Sequence, residues 1–489
     1  MPRKRKWTVL ICSCLLAFAG SFFQELPTPL GRRLQGESLA CRNGTDEHKN
    51  TTKHLEASDH GEEPPPADRC LDLSSVEYNG LTTAFFFATG AVAIFATLAI
   101  KQYGQKWLIW TCGLLTLAGV LVFVGGSYLE DNRMAFGALM LGRIIYGLGN
   151  GLRVTVCAHR VNELWKESTQ MKGLYVLAAA LGSAFSFYLN GQVLDAIGMS
   201  NAIWISVGLT ALATVAALIQ GKVDTDQDDE EKEGRSLRRS VKEGFHHFRQ
   251  NVEPVFWWFT IALFLIHALI TTFVVNAPTL LEDGSGYSER QAIWIIGLVY
   301  DLSILIPLFG FLVDRVGHRD YWMTLGAILI FSAFAVYLSS SSINSIVMTV
   351  IIGLGFAIFS PLCAASNAMV APEDTEGVAE SIQKFFRFVG AGFFALVAGL
   401  ILDNDAVDEK KAFEYLMIML LCMGVVGTLA CVMMIWANRR SEERALSRTA
   451  KEHKQKIKEE ETKEEETKEE ETEAGRRTWD PLMPNLHPT

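Results

Sequence analysis

The chain contains about twelve separate runs of roughly 20 apolar residues, each long enough to cross a hydrocarbon layer about 30 Å thick. They lie at roughly 7–25, 80–100, 107–126, 134–158, 172–194, 201–220, 254–275, 291–313, 321–340, 343–369, 377–401 and 413–437. In lipid each segment must satisfy its own backbone hydrogen bonds, so each run is expected to be a helix. Of the 489 residues, 49% are hydrophobic. A soluble protein can reach that fraction, so the spacing of the runs decides the matter. The expected fold class is all-α integral membrane, with twelve transmembrane helices.

The first run follows Arg3-Lys4-Arg5-Lys6, and Ala17-Phe18-Ala19-Gly20 offers small residues for cleavage, as in a secretory signal peptide. We read it as a retained helix, because the apolar stretch continues through Phe22 and Phe23. Orientation follows from basic residues in short loops. Lys101, Lys106, Arg160, Lys166, Lys172, Arg315 and Arg319 fall on the side of the N-terminal tail, against Arg133, Arg290, Lys410 and Lys411 opposite. This bias puts both termini in the cytosol. The expected organisation is a cytosolic tail 1–6, a six-helix half 7–220, a central loop 221–252, a second six-helix half 253–437 and a charged cytosolic tail 438–489.

The loop at 26–74 then faces the lumen or exterior. It holds two glycosylation sequons, at Asn43 and Asn50, and two cysteines, Cys41 and Cys70, for which an oxidising compartment makes a disulfide plausible. The other seven cysteines sit in apolar runs and read as small buried residues. The net charge of −10 is concentrated in polar segments, including a threefold Lys-Glu-Glu-Glu-Thr repeat at 458–472 that reads as a solvated tail. There is no basic groove with interleaved aromatics for nucleic acid, no metal-ligand spacing, and no phosphate loop, nucleophile elbow or His-Glu-x-x-His. The expectation is a non-enzyme without cofactor, in contact with membrane lipid.

An internal repeat relates the two halves. Gly147-Leu148-Gly149, Lys172-Gly173-Leu174 and Asn190-Gly191 recur as Gly353-Leu354-Gly355, Glu376-Gly377-Val378 and Ala398-Gly399, at offsets of 206, 204 and 208 residues. Between the eighth and ninth spans, Gly310-x-x-x-Asp314-Arg315-x-Gly317-x-Arg319 matches the loop motif of the major facilitator superfamily. Its glycines allow a tight turn, and Asp314 can pair with a basic residue or helix N-terminus so as to latch one state. The corresponding first-half loop, Lys101 to Lys106, has lost the acid. In the fourth span, Leu139-x-x-x-Arg143-x-x-x-Gly147-x-Gly149 resembles another pattern of the same superfamily, whose carriers bind substrate at the midplane between two parallel repeats.

Charged residues inside spans are the candidate solute site. Arg143 reads equally well as a site residue or as a structural partner of a neighbouring helix, with Gly147 and Asn150 on its face. Glu380, Lys384 and Arg387 form one stripe at i, i+4 and i+7 in the eleventh span. Asp301 in the eighth is expected to pair with Arg387. His267 in the seventh reads as a hydrogen-bonded core histidine.

Further residues narrow the resemblance: Glu25-Leu26-Pro27-Thr28-Pro29-Leu30, Gly142-Arg143, Tyr287-Ser288, Gln291-Ala292, Val299-Tyr300, Ser303, Pro307, Ser381-Ile382-Gln383 and Ala398-Gly399-x-x-Leu402-Asp403. Together they resemble the lysosomal dipeptide transporters of the superfamily. The resemblance implies a facilitative carrier of dipeptides in the lysosomal membrane, working with a glycosylated single-span membrane partner or as a homodimer. Two positions depart from it: the family's acid for the peptide amine is Gly151 here, and its arginine for the peptide carboxylate is Ala180. The expected substitutes are Arg153, Arg387 or Lys384 for the carboxylate and Glu380, Asp301 or Glu25 for the amine. The alternatives are a large-neutral-amino-acid facilitator, residence in the plasma membrane, or a sensor or scaffold that keeps the fold without transporting.

Overall fold

The computed structural model describes residues 3–37, 70–165, 169–224, 245–339, 344–371, 375–404, 408–441, 443–449, 451–452 and 455. Cys41, both sequons and the Lys-Glu-Glu-Glu-Thr repeat lie outside the described residues, as does most of the central loop. Cys70 is disulfide-bonded, and the seven cysteines of the apolar runs are in no disulfide among the described residues.

Among the described residues there is no strand, and every long element is a helix. In chain order these are α1 (Arg3–Glu25), α2 (Ser75–Tyr103), α3 (Gln105–Ser127), α4 (Asn132–Leu164), α5 (Thr169–Ile197) and α6 (Met199–Asp224). The second half has α7 (Pro254–Ser285), α8 (Glu289–Val316), α9 (Arg319–Ser339), α10 (Ser345–Ser366), α11 (Glu376–Leu402) and α12 (Glu409–Arg440). The middle of α8, Leu302–Leu305, tightens to a 3₁₀ turn just before Pro307, whose ring cannot sit in a regular helix interior.

Eleven of these helices are long and apolar enough to cross a membrane. The exception to the expected twelve is α4, which has the length, 33 residues, but carries Arg133, Arg143, Arg153 and Arg160. It tolerates them because the bundle surrounds it: Arg143 is fully buried, and Arg153 and Arg160 are 4% and 2% exposed.

The repeated glycines lie at equivalent packing points. A Cβ at Gly147 would come within 2.6 Å of the Phe85 carbonyl oxygen on α2, and one at Gly149 within 2.8 Å of the Thr116 nitrogen on α3. Their second-half counterparts do the same: Gly353 meets the Leu298 carbonyl on α8 at 2.8 Å, and Gly355 the Gly326 carbonyl on α9 at 2.7 Å. The glycine-x-glycine step therefore lets one helix press between two others at backbone distance in each half. Gly191 of α5 faces Ile293 and Trp294 of α8, while Gly399 of α11 faces Ser75 and Asn79 of α2, so the contacts between the halves also come as a related pair.

The loop motif forms a tight turn, with Gly317 and His318 both at positive φ. Asp314, near the end of α8, meets Arg319, the first residue of α9, at 3.4 Å. Gly310 faces open space, and Arg315 is exposed. The segment after α12 folds back onto this turn. His318 donates its backbone N–H to the Ser447 carbonyl at 3.3 Å, Leu446 is buried, and Asn438 bridges Asp320 and Ser447 at 2.9 Å each.

Candidate functional site

The two halves are joined at the end that bears residues 26–34 and 70–74. Arg32 binds Glu282 at 3.1 Å and also pairs with Asp283 and with Glu37 of its own segment. Burial opposes the Arg32 charge, but these carboxylates outweigh it and raise its pKa above the ordinary value, so the guanidinium stays charged. Arg33, 1% exposed, donates to the Leu194 carbonyl at 3.2 Å and lies 3.8 Å from Glu289. Deeper in, Tyr78 donates to the Val275 carbonyl at 3.0 Å, and Asn79 and Asn276 exchange amide hydrogen bonds at 3.0 and 3.1 Å. Thr83 donates to the Gly392 carbonyl at 3.0 Å. Each of these contacts except the Arg32–Glu37 and Arg33–Leu194 ones links one half to the other.

Beyond this seal lies a cavity of about 170 Å³ between the halves. It runs from Glu25 of α1 and Tyr300 of α8 to Asn162 of α4, Lys172 of α5 and Asn367 beyond α10. Five expected site residues line it: Glu25, Arg153, Glu380, Lys384 and Arg387. Three others, Arg143, Asn150 and Asp301, lie outside its lining.

Local chemistry explains each placement. Arg143 donates to the carbonyls of Phe23 at 2.9 Å and Gln24 at 3.1 Å, and to Leu81 at 3.3 Å. It therefore caps the C-terminal end of α1, where unsatisfied carbonyls gather partial negative charge. The Phe85 ring covers it at 4.5 Å. Of the two readings open for Arg143, the geometry is that of the structural partner. Asn150 accepts from Arg153 Nε at 2.8 Å and so aims that side chain. Room for it comes from α1, where a Cβ at Gly20 would lie 2.4 Å from Arg153 Nε. Glu25, 6% exposed, accepts from the Gln24 amide at 2.9 Å and faces the Tyr300 hydroxyl of the other half.

Two expectations need correcting. Asp301 does not pair with Arg387; it accepts from the Tyr188 hydroxyl at 2.7 Å. Tyr300 faces the cavity, and consecutive helical residues point about 100° apart, so Asp301 is turned toward α5. His267 is not a hydrogen-bonded core residue. Its Nε2 is buried and has no partner among the described residues, and the ring borders the cavity between Phe86 and Phe388 at 6.3 and 6.2 Å. Lys384 pairs with Glu380, one turn earlier on α11, at 2.7 Å.

Sequence reasoning missed the lining roles of Gln24, Tyr175 and Tyr300, and it missed the Arg32 and Arg33 clamp. The departures from the resembling family also acquire a place. Ala180 lines the cavity, while a Cβ at Gly151 would lie 2.7 Å from the Thr89 carbonyl on α2. An acid at position 151 would therefore require α2 and α4 to move apart.

The family model described as Major Facilitator Superfamily matches residues 64–304 and 298–481. The chain belongs to the Major Facilitator Superfamily. It is a multi-pass membrane transporter, not an enzyme. The lysosomal dipeptide transporter MFSD1 of Pongo abelii is 21% identical over 452 residues, covering 88% of this chain and 86% of that protein. The protein of the same name from Bos taurus is 23% identical over 347 residues, covering 67% and 71%. In the solved structures, a D-xylose-proton symporter superimposes with a TM-score of 0.62 at 14% identity, covering 87% of this chain and 97% of that one. That likeness shows the superfamily fold.

Proposed function

We propose that this superfamily member carries dipeptides out of lysosomes by alternating access, as a facilitative uniporter. One observation carries the reading: a carboxylate and a guanidinium of opposite charge, Glu25 and Arg153, line the same cavity. Arg153 rests against Gly20, five residues before Glu25 on α1, which corresponds to about 7.5 Å of helix rise. An extended chain of two residues spans about 7 Å, whereas a single amino acid spans roughly half of that. Glu25 then takes the peptide amine and Arg153 the carboxylate, in the roles that Gly151 and Ala180 have vacated. The relatives named as lysosomal dipeptide transporters support the same substrate and compartment. Residence in the lysosomal membrane, cytosolic termini, glycans on Asn43 and Asn50, and a single-span partner or a second copy of the chain belong to this reading.

Uptake by proteoliposomes tests it. Labelled Ala-Ala is expected to enter at a rate that a pH gradient leaves unchanged, while labelled leucine or alanine enters at background. Leucine flux without dipeptide flux would overturn the dipeptide assignment, and no flux of either would favour the sensor.

Alternating access has its own test. The reciprocal amide pair places Asn79 and Asn276 within reach of each other across the halves. Oxidised Asn79→Cys/Asn276→Cys protein is expected to lose transport to near background and to regain it on reduction, with both single variants unaffected by oxidant. Full-rate transport by the cross-linked protein would rule out opening at that end.

A further inference from the structure

Two guanidinium groups border the cavity, and a zwitterionic dipeptide supplies a counter-charge for one. Lys384 is committed to Glu380 at 2.7 Å. Arg153 is held by a neutral amide, Asn150, and among the described residues takes part in no ion pair. Arg387 takes part in none either. Its Nε is buried without a hydrogen-bond partner, and its guanidinium carbon stands 5.5 Å from the Phe388 ring centre. His267 lines the same cavity, its ring 6.2 Å from the Phe388 ring that Arg387 also faces, and among the described residues its buried Nε2 has no hydrogen-bond partner either. A dipeptide bound between Glu25 and Arg153 leaves Arg387 half-buried with its Nε unsatisfied and its charge uncompensated, which is costly.

We propose that Arg387 and His267 form a second anion subsite, and that the preferred substrates are dipeptides with a side-chain carboxylate. This inference rests on the dipeptide reading above. The planar fork of Arg387 matches a carboxylate, and His267 in its Nε2–H tautomer donates one further hydrogen bond. The neighbouring wall residues Leu263 and Ile270 are apolar, so a hydrocarbon stem is tolerated while a cationic side chain meets the Arg387 charge. With the Glu25–Arg153 pair reading the peptide backbone, the second subsite reads the side chain. That division gives α11 a specificity role separate from its Glu380–Lys384 ion pair.

The test is binding of Ala-Asp, Ala-Ala and Ala-Lys to the purified full-length protein, by thermal shift and by competition with a labelled dipeptide in proteoliposomes. Ala-Asp is expected to bind about tenfold or more tightly than Ala-Ala, the size of one charge-assisted hydrogen bond, with Ala-Lys weakest. Arg387→Gln is expected to bring the Ala-Asp to Ala-Ala ratio to near one, and His267→Ala to lower it part of the way. Should Arg387→Gln fail to fold, the wild-type ratio still decides. Equal binding of Ala-Asp and Ala-Ala would overturn the subsite and leave the dipeptide reading standing. Binding of none of the three would overturn both. A preference that survives in Arg387→Gln would overturn the assignment to Arg387.

Discussion

Arg153→Met is expected to weaken dipeptide binding roughly 10- to 100-fold, the loss of about 1.5–3 kcal/mol that a hydrogen bond to a charged group contributes. The side chain is 4% exposed, and its Nε is already held by Asn150 at 2.8 Å. A residue restrained in this way gives up little further side-chain entropy when a ligand arrives. The atoms beside Gly20 are Nε, Cζ and Cδ; methionine reaches as far as the Nε position, so the variant removes the charge and keeps part of that contact. Asn150→Ala is expected to give a smaller loss in the same direction, because the guanidinium remains but is no longer aimed. Competition binding against a labelled dipeptide, on protein that elutes as a single species, reads both effects. Wild-type affinity in Arg153→Met would remove Arg153 from the carboxylate subsite and, with it, the spacing argument along α1.

Arg143→Ala produces the largest expected loss of stability, about 3–5 kcal/mol, read as a lower unfolding temperature and a smaller folded fraction after detergent extraction. The guanidinium is fully buried and serves three carbonyls, those of Phe23, Gln24 and Leu81, from two different helices. Removing it orphans these groups where no lipid and little water can replace the donor. It also uncovers the Phe85 ring, which lies 4.5 Å from the guanidinium carbon. Arg143→Lys recovers only part of the loss, since an ammonium lacks the planar fork that reaches several acceptors together. The end of α1 carries Glu25, so loosening the cap also frees the carboxylate assigned to the peptide amine. A stable, monodisperse Arg143→Ala protein would show that the cap is dispensable.

The two arginines show why sequence reasoning could find them but not separate them. Both lie on α4, ten residues apart, and the depth of a charge in a span identifies it as consequential without saying what it serves. What tells them apart lies on α1, some 120–130 residues earlier in the chain, where Arg143 meets the Phe23 and Gln24 carbonyls and Arg153 lies beside Gly20, and no local pattern encodes that approach. Asp301 fails for a related reason. Its pairing with Arg387 looked reasonable from charge alone, but the turn of α8 that carries Tyr300 to the cavity sends Asp301 to Tyr188. The Arg32 clamp was invisible because Arg32 lies in a polar loop and its acids follow 250 residues later, at the end of α7.

The sequence by itself determined the membrane fold and its duplication. Apolar runs of membrane-spanning length admit little but helices, and a repeated glycine step works through backbone distance alone, so it survives when side chains diverge. The tertiary structure alone decided which charges line the cavity, which hold helices together and which join the halves at one end. Those assignments depend on the direction of each side chain and on partners supplied by the other half, and neither is set within a single span.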